Sequence, residues 1–166
     1  GLILSLVTFV VPAIASAQTY PKSDPRSNLK PGRLDAGVAA SNMRLVSFSP
    51  KPPQFDTARG LTFVNSDMAF GTNYVYQANF AGFTIWDITN PSSPVLVTAY
   101  TCPASQNDVS VYKNLMFMSA EATNGRVDCA PGGVRDTVSQ DRMRGVRIFD
   151  ISDIRNPKLV KNVQTC

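Results

Sequence analysis

Between residues 67 and 163 the apolar positions come in short runs, each bounded by Gly, Asn, Asp, Ser or Pro. Runs of that length, rich in Val, Ile, Phe, Tyr and Thr, read as strands. The pattern predicts strands over 67–70, 74–78, 83–88 and 95–99, and again over 108–111, 115–119, 146–151 and 158–163. Tyr74-Val-Tyr76 and Leu115-Met-Phe-Met118 do not alternate cleanly between apolar and polar, as expected of sheets covered on both faces. Upstream the pattern differs. One unbroken apolar run, Leu2 to Val11, is followed by a polar, proline-containing stretch to about residue 60.

The eight runs are two copies of one pattern. Residues 82–97 overlie residues 145–160 at a shift of 63 positions, with identities at Gly82/Gly145, Ile85/Ile148, Asp87/Asp150, Ile88/Ile151, Pro94/Pro157, Leu96/Leu159 and Val97/Val160. Residues 67–76 overlie 108–117 at a shift of 41. The shifts differ by 22, so the second copy carries an insertion of 22 residues within 119–144, between its second and third strands. A period near 41 is that of a four-stranded propeller blade. The expectation is therefore an all-β chain, with one blade over 67–100 and another over 108–163.

Several residues have roles within that pattern. Asn73 and Asn114 fall in the first turn of each copy, where Asn tolerates left-handed backbone. Asp87 and Asp150 end the third strand, placed to accept backbone N–H bonds across the next turn. Asn42-Met-Arg-Leu-Val46 echoes Asn156-Pro-Lys-Leu-Val160. Residues 43–48 thus read as a lone fourth strand, a latch that would complete the last blade of a ring and leave no edge free.

Ile85-Trp-Asp-Ile-Thr-Asn-Pro-x-x-Pro-x-Leu-Val97 and Ile148-Phe-Asp-Ile-Ser-Asp-x-x-x-Pro-x-Leu-Val160 resemble the LVIVD repeat of bacterial secreted and surface β-propellers. The resemblance covers residues 67–163. It implies the propeller fold and is nearly silent about activity, and the long insertion departs from the usual repeat.

Composition narrows the chemistry. One Glu beside eleven Asp, among many β-branched and aromatic residues, disfavours a helical bundle. With no histidine, this stretch lacks any imidazole base, Ser-His-Asp triad or His-ligated metal. No phosphate-binding Gly loop, CxxC pair or G-x-S-x-G elbow occurs, and no cofactor is expected. Asp128, Asp136 and Asp141 do not have calcium-loop spacing. The net charge of +4 belongs to residues 18–60, where seven basic side chains face three acidic ones. From 61 onward the counts are nine and nine. Such a leader reads as a solvated linker or a contact with an anionic cell surface. Its basic residues are too dilute, and too little interleaved with aromatics, to predict nucleic-acid binding.

Leu2 to Val11, followed by Ala15 and Ala17 in an A-x-A pattern, reads as a signal peptide over 1–17. The run is too short to span a bilayer. The initiator Met and basic n-region are missing, so the segment reads as truncated at its start, and the mature chain is expected to begin near Gln18. Export to the periplasm, cell surface or medium implies an oxidising compartment. In blade topology Cys102, Cys129 and Cys166 all fall on one rim. Cys102–Cys129 is the favoured pair, closing a loop of about 28 residues for roughly 3 kcal/mol, and Cys129–Cys166 is its rival. The favoured pair leaves Cys166 for a partner in further blades of the chain.

Long loops on a rigid scaffold concentrate binding residues. The candidates on this rim are Asn107, Glu121, Arg126, Asp128 and Arg135, with Asn124-Gly125 expected as a tight turn opening a small hairpin. The expected function is an exported, non-catalytic binding or scaffold module that contacts a protein or glycan through this rim. The alternative is a periplasmic or extracellular propeller enzyme, a hydrolase or metal-dependent oxidoreductase, with its catalytic residues in further blades.

Overall fold

The computed structural model describes residues 24–32 and 35–165. The expected signal peptide, its cleavage point and Cys166 lie outside the described residues. The chain divides into two compact units, Gly1–Arg44 and Leu45–Cys166. In the first unit the described residues form no helix or strand. Their local order comes from Asp24, which accepts the backbone N–H of Arg26 at 2.9 Å and pairs with its guanidinium, and from the Lys30–Asp35 ion pair.

The second unit opens with two single 3₁₀ turns, Pro53–Phe55 and Gly60–Thr62. Phe55 is buried, its ring 5.4 Å from that of Phe63. Lys51 Nζ donates to the carbonyls of Phe55 and Ala58 at 3.1 and 2.8 Å. Eight strands follow: β1 (Asn65–Phe70), β2 (Tyr74–Asn79), β3 (Gly82–Asp87), β4 (Val95–Thr101), β5 (Val109–Tyr112), β6 (Leu115–Arg126), β7 (Arg142–Asp150) and β8 (Lys158–Gln164). They form two four-stranded antiparallel sheets, each in chain order. The described residues form an all-β structure, as the pattern predicts. The largest departure lies in the second copy, where β6 and β7 both run into the insertion.

The repeated residues do the same work twice. Gly82 and Gly145 open the third strands at φ +150° and +144°, backbone that L side chains rarely adopt. A Cβ at either would strike the facing carbonyl oxygen, of Tyr100 or Val163. The pairing of third and fourth strands shifts register just after Ile85 in one sheet and just after Ile148 in the other. Ile88 N–H donates to Asn73 O, and Ile151 N–H to Asn114 O, at 2.8 Å in both.

Residues directly opposite across antiparallel strands share a face, so register assigns every side chain a side. Tyr76, Ala78, Phe83 and Ile85 of the first sheet pack against Val109, Met116, Met118 and Phe149 of the second. Phe83, Tyr100 and Phe149 form an aromatic trio across that interface, with centroids 5.1–5.3 Å apart. Thr98 Oγ1 adds a hydrogen bond to Ile154 O at 2.6 Å. The sheets stack head to tail. Met68, Phe70, Val75 and Trp86 lie on the first sheet's other face, and their repeat equivalents Val109, Val111, Met116 and Phe149 lie within the interface.

One expectation needs correction. Left-handed backbone in the second hairpin falls on Lys113 (φ +55°), not Asn114, and no residue of the first hairpin has positive φ. A positive φ at the first of two loop residues is the pattern of a II′ turn, and it frees Asn114 to donate to Ser152 Oγ at 3.1 Å. Residues 43–48 form no strand, and Met43, Leu45 and Phe48 are exposed. The latch expected over 43–48 would complete the last blade of a ring; in these two sheets β3 already lies between β2 and β4, and β7 between β6 and β8. Neither third strand has a vacant edge.

Candidate functional site

Antiparallel chain order puts the β2–β3, β4–β5 and β6–β7 connections on one rim of the stack. That rim is built around a disulfide. Cys102, at the end of β4, is fully buried and Cys129 nearly so. They are joined with Cα atoms 4.3 Å apart, which resolves the pairing in favour of Cys102–Cys129. Cys102 N–H also donates to Ala81 O at 2.8 Å, so the bridge is seated on the β2–β3 corner. Cys129 sits at φ +60°.

The insertion does not open with a tight turn at Asn124-Gly125. Both residues lie in β6, where Gly125 pairs with Met143. Register breaks between Ala120 and Gly125, and in that break the Glu121 and Ala122 N–H groups both donate to Ala104 O, at 3.2 and 2.8 Å. The physical reason is burial. Ala104, Ala120 and Met143 form a small second core with Ala122 and Val127 against it, and the register that buries them keeps Asn124-Gly125 extended. Left-handed glycine backbone falls later, at Gly132 and Gly133 (φ +91° and +66°).

The five candidate residues part company. Arg126 and Asp128 form a fork, Nε to Oδ1 and Nη2 to Oδ2, both at 2.8 Å. The guanidinium's hydrogen bonds, helped by the Ala130 N–H, hold the Asp128 carboxyl well below the usual carboxylate range. Glu121 and Arg135 are exposed, and neither forms an ion pair among the described residues. Asn107, a candidate on this rim, is fully buried. Its Nδ2 donates to Asn79 O at 2.7 Å, and Ser66 Oγ donates to Asn107 O. The chain crosses between the sheets here, and buried carbonyls at the crossing need donors.

Arg147 is the residue that sequence reasoning missed. It is fully buried on the interface face of β7. Its Nη2 donates to Arg126 O at 2.7 Å and its Nη1 reaches Cys102 O at 3.5 Å, so one side chain joins the insertion to the disulfide-bearing connection. Burial lowers its pKa to about 10, and it remains a cation at neutral pH. The sequence held one signal. Arg147 replaces Thr84 in a segment otherwise dense in matches.

Asp87 and Asp150 lie at the opposite rim. Asp87 Oδ1 accepts the N–H of Thr89, and Asp150 Oδ1 that of Ser152, at 2.8 Å in each case. Bonds from Thr89, backbone first, lower Asp87; bonds from Ser152, side chain first, lower Asp150. Carboxylates held ionised in turns are poor proton donors, and this geometry is that of turn closure. Among the described residues, no three His, Cys, Asp or Glu side chains gather as metal ligands.

Two clefts open on the disulfide rim. One, of about 540 Å³, lies between residues 57–62, the 80–81 corner, 101–105 and 131–132. The other, of about 330 Å³, lies between Thr123, residues 137–144 and Gln164, and includes Arg142 and Arg144.

The LVIVD repeat family model matches residues 66–102, a span that takes in nearly all of β1 through β4 and reaches Cys102. No curated protein matches the chain.

Proposed function

We propose that the two sheets are consecutive blades of an exported β-propeller, and that this chain is a non-catalytic binding or scaffold module working through its disulfide rim. One observation carries the reading. The sheets stack head to tail, and the first keeps exposed apolar residues on the face whose equivalent the second sheet buries. Met68 and Phe70 are 52% and 65% exposed, while their equivalents Val109 and Val111 pack in the interface. A head-to-tail interface repeats until it closes, so further copies of the same repeat cover both faces. The LVIVD match supports the repeat, while the apolar N-terminal run and the disulfide support export.

The rim carries the binding role because it holds the ordered insertion, both clefts and the exposed Glu121 and Arg135. Partners on this reading are a protein or glycan at the cell surface. A photo-crosslinking side chain at Glu121 or Arg135 should form adducts in the native setting, while the same group at Thr72 or Asn90 on the opposite rim should not. The exported form should begin near Gln18 by N-terminal sequencing. Adducts confined to Thr72 and Asn90 would reverse the assignment of the rim.

A further inference from the structure

Building on the rim as a binding surface, we propose that the larger cleft is a site for a neutral glycan. A sugar ring lies on Phe80, Pro103 and Pro131, and its hydroxyls meet Thr57, Thr101 and Ser105. The volume, about 540 Å³, is within the roughly 300–1,000 Å³ usual for small-molecule sites. No lining residue is charged. A carboxylate, phosphate or sulfate would therefore lose its hydration there without a cation to replace it. The charged candidates of the rim, Arg126 and Asp128, satisfy each other outside this cleft.

The lining offers two complementary surfaces. Phe80 is half-buried and has no ring or cation partner among the described residues, unlike Phe55, Phe63, Phe83 and Phe149. It can serve as a platform in the cleft that it lines together with two rigid prolines. The hydroxyls of Thr57, Thr101 and Ser105 take part in no hydrogen bond among the described residues. Thr62 in the same cleft differs, its Oγ1 being engaged at both the N–H and the carbonyl of Arg59. Ser105 is held at φ +62°, a conformation uncommon outside glycine and concentrated at functional sites.

Free hydroxyls that donate and accept, beside a flat apolar platform, match a pyranose, which has C–H faces and a hydroxyl rim. An extended peptide instead draws its affinity from main-chain hydrogen bonds, and the backbone at this corner is committed. Phe80 N–H donates to Val64 O at 3.0 Å, Ala81 N–H to Asn79 Oδ1 at 2.9 Å, and Ala81 O accepts from Cys102 N–H. The disulfide holds the far wall, since Pro103 follows Cys102 and Pro131 lies two residues beyond Cys129. Reduction should therefore dismantle the site.

Calorimetric titration of the natural protein carrying this sequence tests the proposal. The probes are cellohexaose, maltohexaose and chitohexaose, with a galacturonate hexamer and a proline-rich decapeptide as competitors in class. At least one neutral hexamer should bind saturably at about 1 mM or tighter. Phe80→Ala should weaken it about tenfold, with Phe80→Trp restoring it. The isosteric Thr101→Val, at an exposed position that leaves the fold intact, should weaken it about threefold. Disulfide reduction should abolish it.

Three results would overturn the proposal: no neutral hexamer binds, only the galacturonate or the peptide binds, or hexamer binding is unchanged in both Phe80→Ala and Thr101→Val. The readouts separate the two levels of the argument. If Glu121 and Arg135 form adducts but no neutral hexamer binds, the glycan falls and the rim stands. If only the opposite rim forms adducts, the rim reading itself falls.

Discussion

The first sheet passes from its second to its third strand through two residues, Phe80 and Ala81. The second sheet makes the same passage through an excursion that lengthens both strands and adds a core of its own. What the two sheets share belongs to the repeat: Gly82 and Gly145 at the third-strand start, the register shift after Ile85 and Ile148, and the Asp87 and Asp150 turns. What only the second sheet has is held by residues that the two copies do not share. Cys129 bonds to Cys102, Ala104 O receives two N–H groups, and Arg147 spans from Arg126 O to Cys102 O. An excursion this long stays ordered because three unrelated attachments hold it to the neighbouring connection. The excursion also provides one wall of the larger cleft.

The comparison breaks most readily at its shared part. Gly82→Ala and Gly145→Ala should each cost about 4 kcal/mol by urea unfolding, because strain and a backbone clash act together. Unequal costs would mean that the two corners are not the same device. Next in size, Cys129→Ser should destabilise by about 3 kcal/mol in the chain-entropy model. Hydrogen exchange should then accelerate over 120–145 and leave β2 and β3 protected. Uniform acceleration across both sheets would show that the bridge supports the whole stack rather than the excursion.

Arg147→Ala should cost about 2 kcal/mol through two lost hydrogen bonds and a cavity, and Thr84→Ala, at the equivalent position, about half that. Equal costs would remove Arg147 as the second sheet's special tie. The smallest effect concerns the opposite rim. Asp87 and Asp150 are ionised more readily in the folded chain than in the unfolded one, so their contribution is full above the ordinary carboxylate value of about 4. It is lost as pH falls through their lower folded values. Asp87→Asn and Asp150→Asn should therefore differ from the parent at neutral pH and converge with it in acid. A pH-independent difference would assign the effect to shape rather than charge.

Much of this was legible in the residues. The eight strands could be placed because their apolar runs end at Gly, Asn, Asp or Pro, and because two copies confirm each other. An insertion of 22 residues within 119–144 followed from the two shifts and the ends of the matching segments. The candidate site was less legible. Asn107 reads as a polar residue of the connecting loop on the rim, and it is buried because a chain crossing between sheets brings Asn79 O within its reach. Asn124-Gly125 is a strong turn signal taken alone, and it yields to the burial of Ala104, Ala120 and Met143 in a register that needs those two residues extended. Asn114 gave up the left-handed position to Lys113 for a bond across the turn. Arg147 stands in an apolar strand pattern with nothing local to say that two carbonyls, distant in sequence, await it.

The sequence by itself determined the strands, their repeat and the place where the repeat is interrupted, because periodicity, turn chemistry and glycine conformation act over a few residues. Tertiary structure alone decided what the interruption became. Which face each strand buried, which carbonyls lacked donors and which cysteines met depend on atoms brought together from positions 20 to 60 residues apart. No local rule carries that information, because burial turns a polar group's need for a partner from a preference into a requirement.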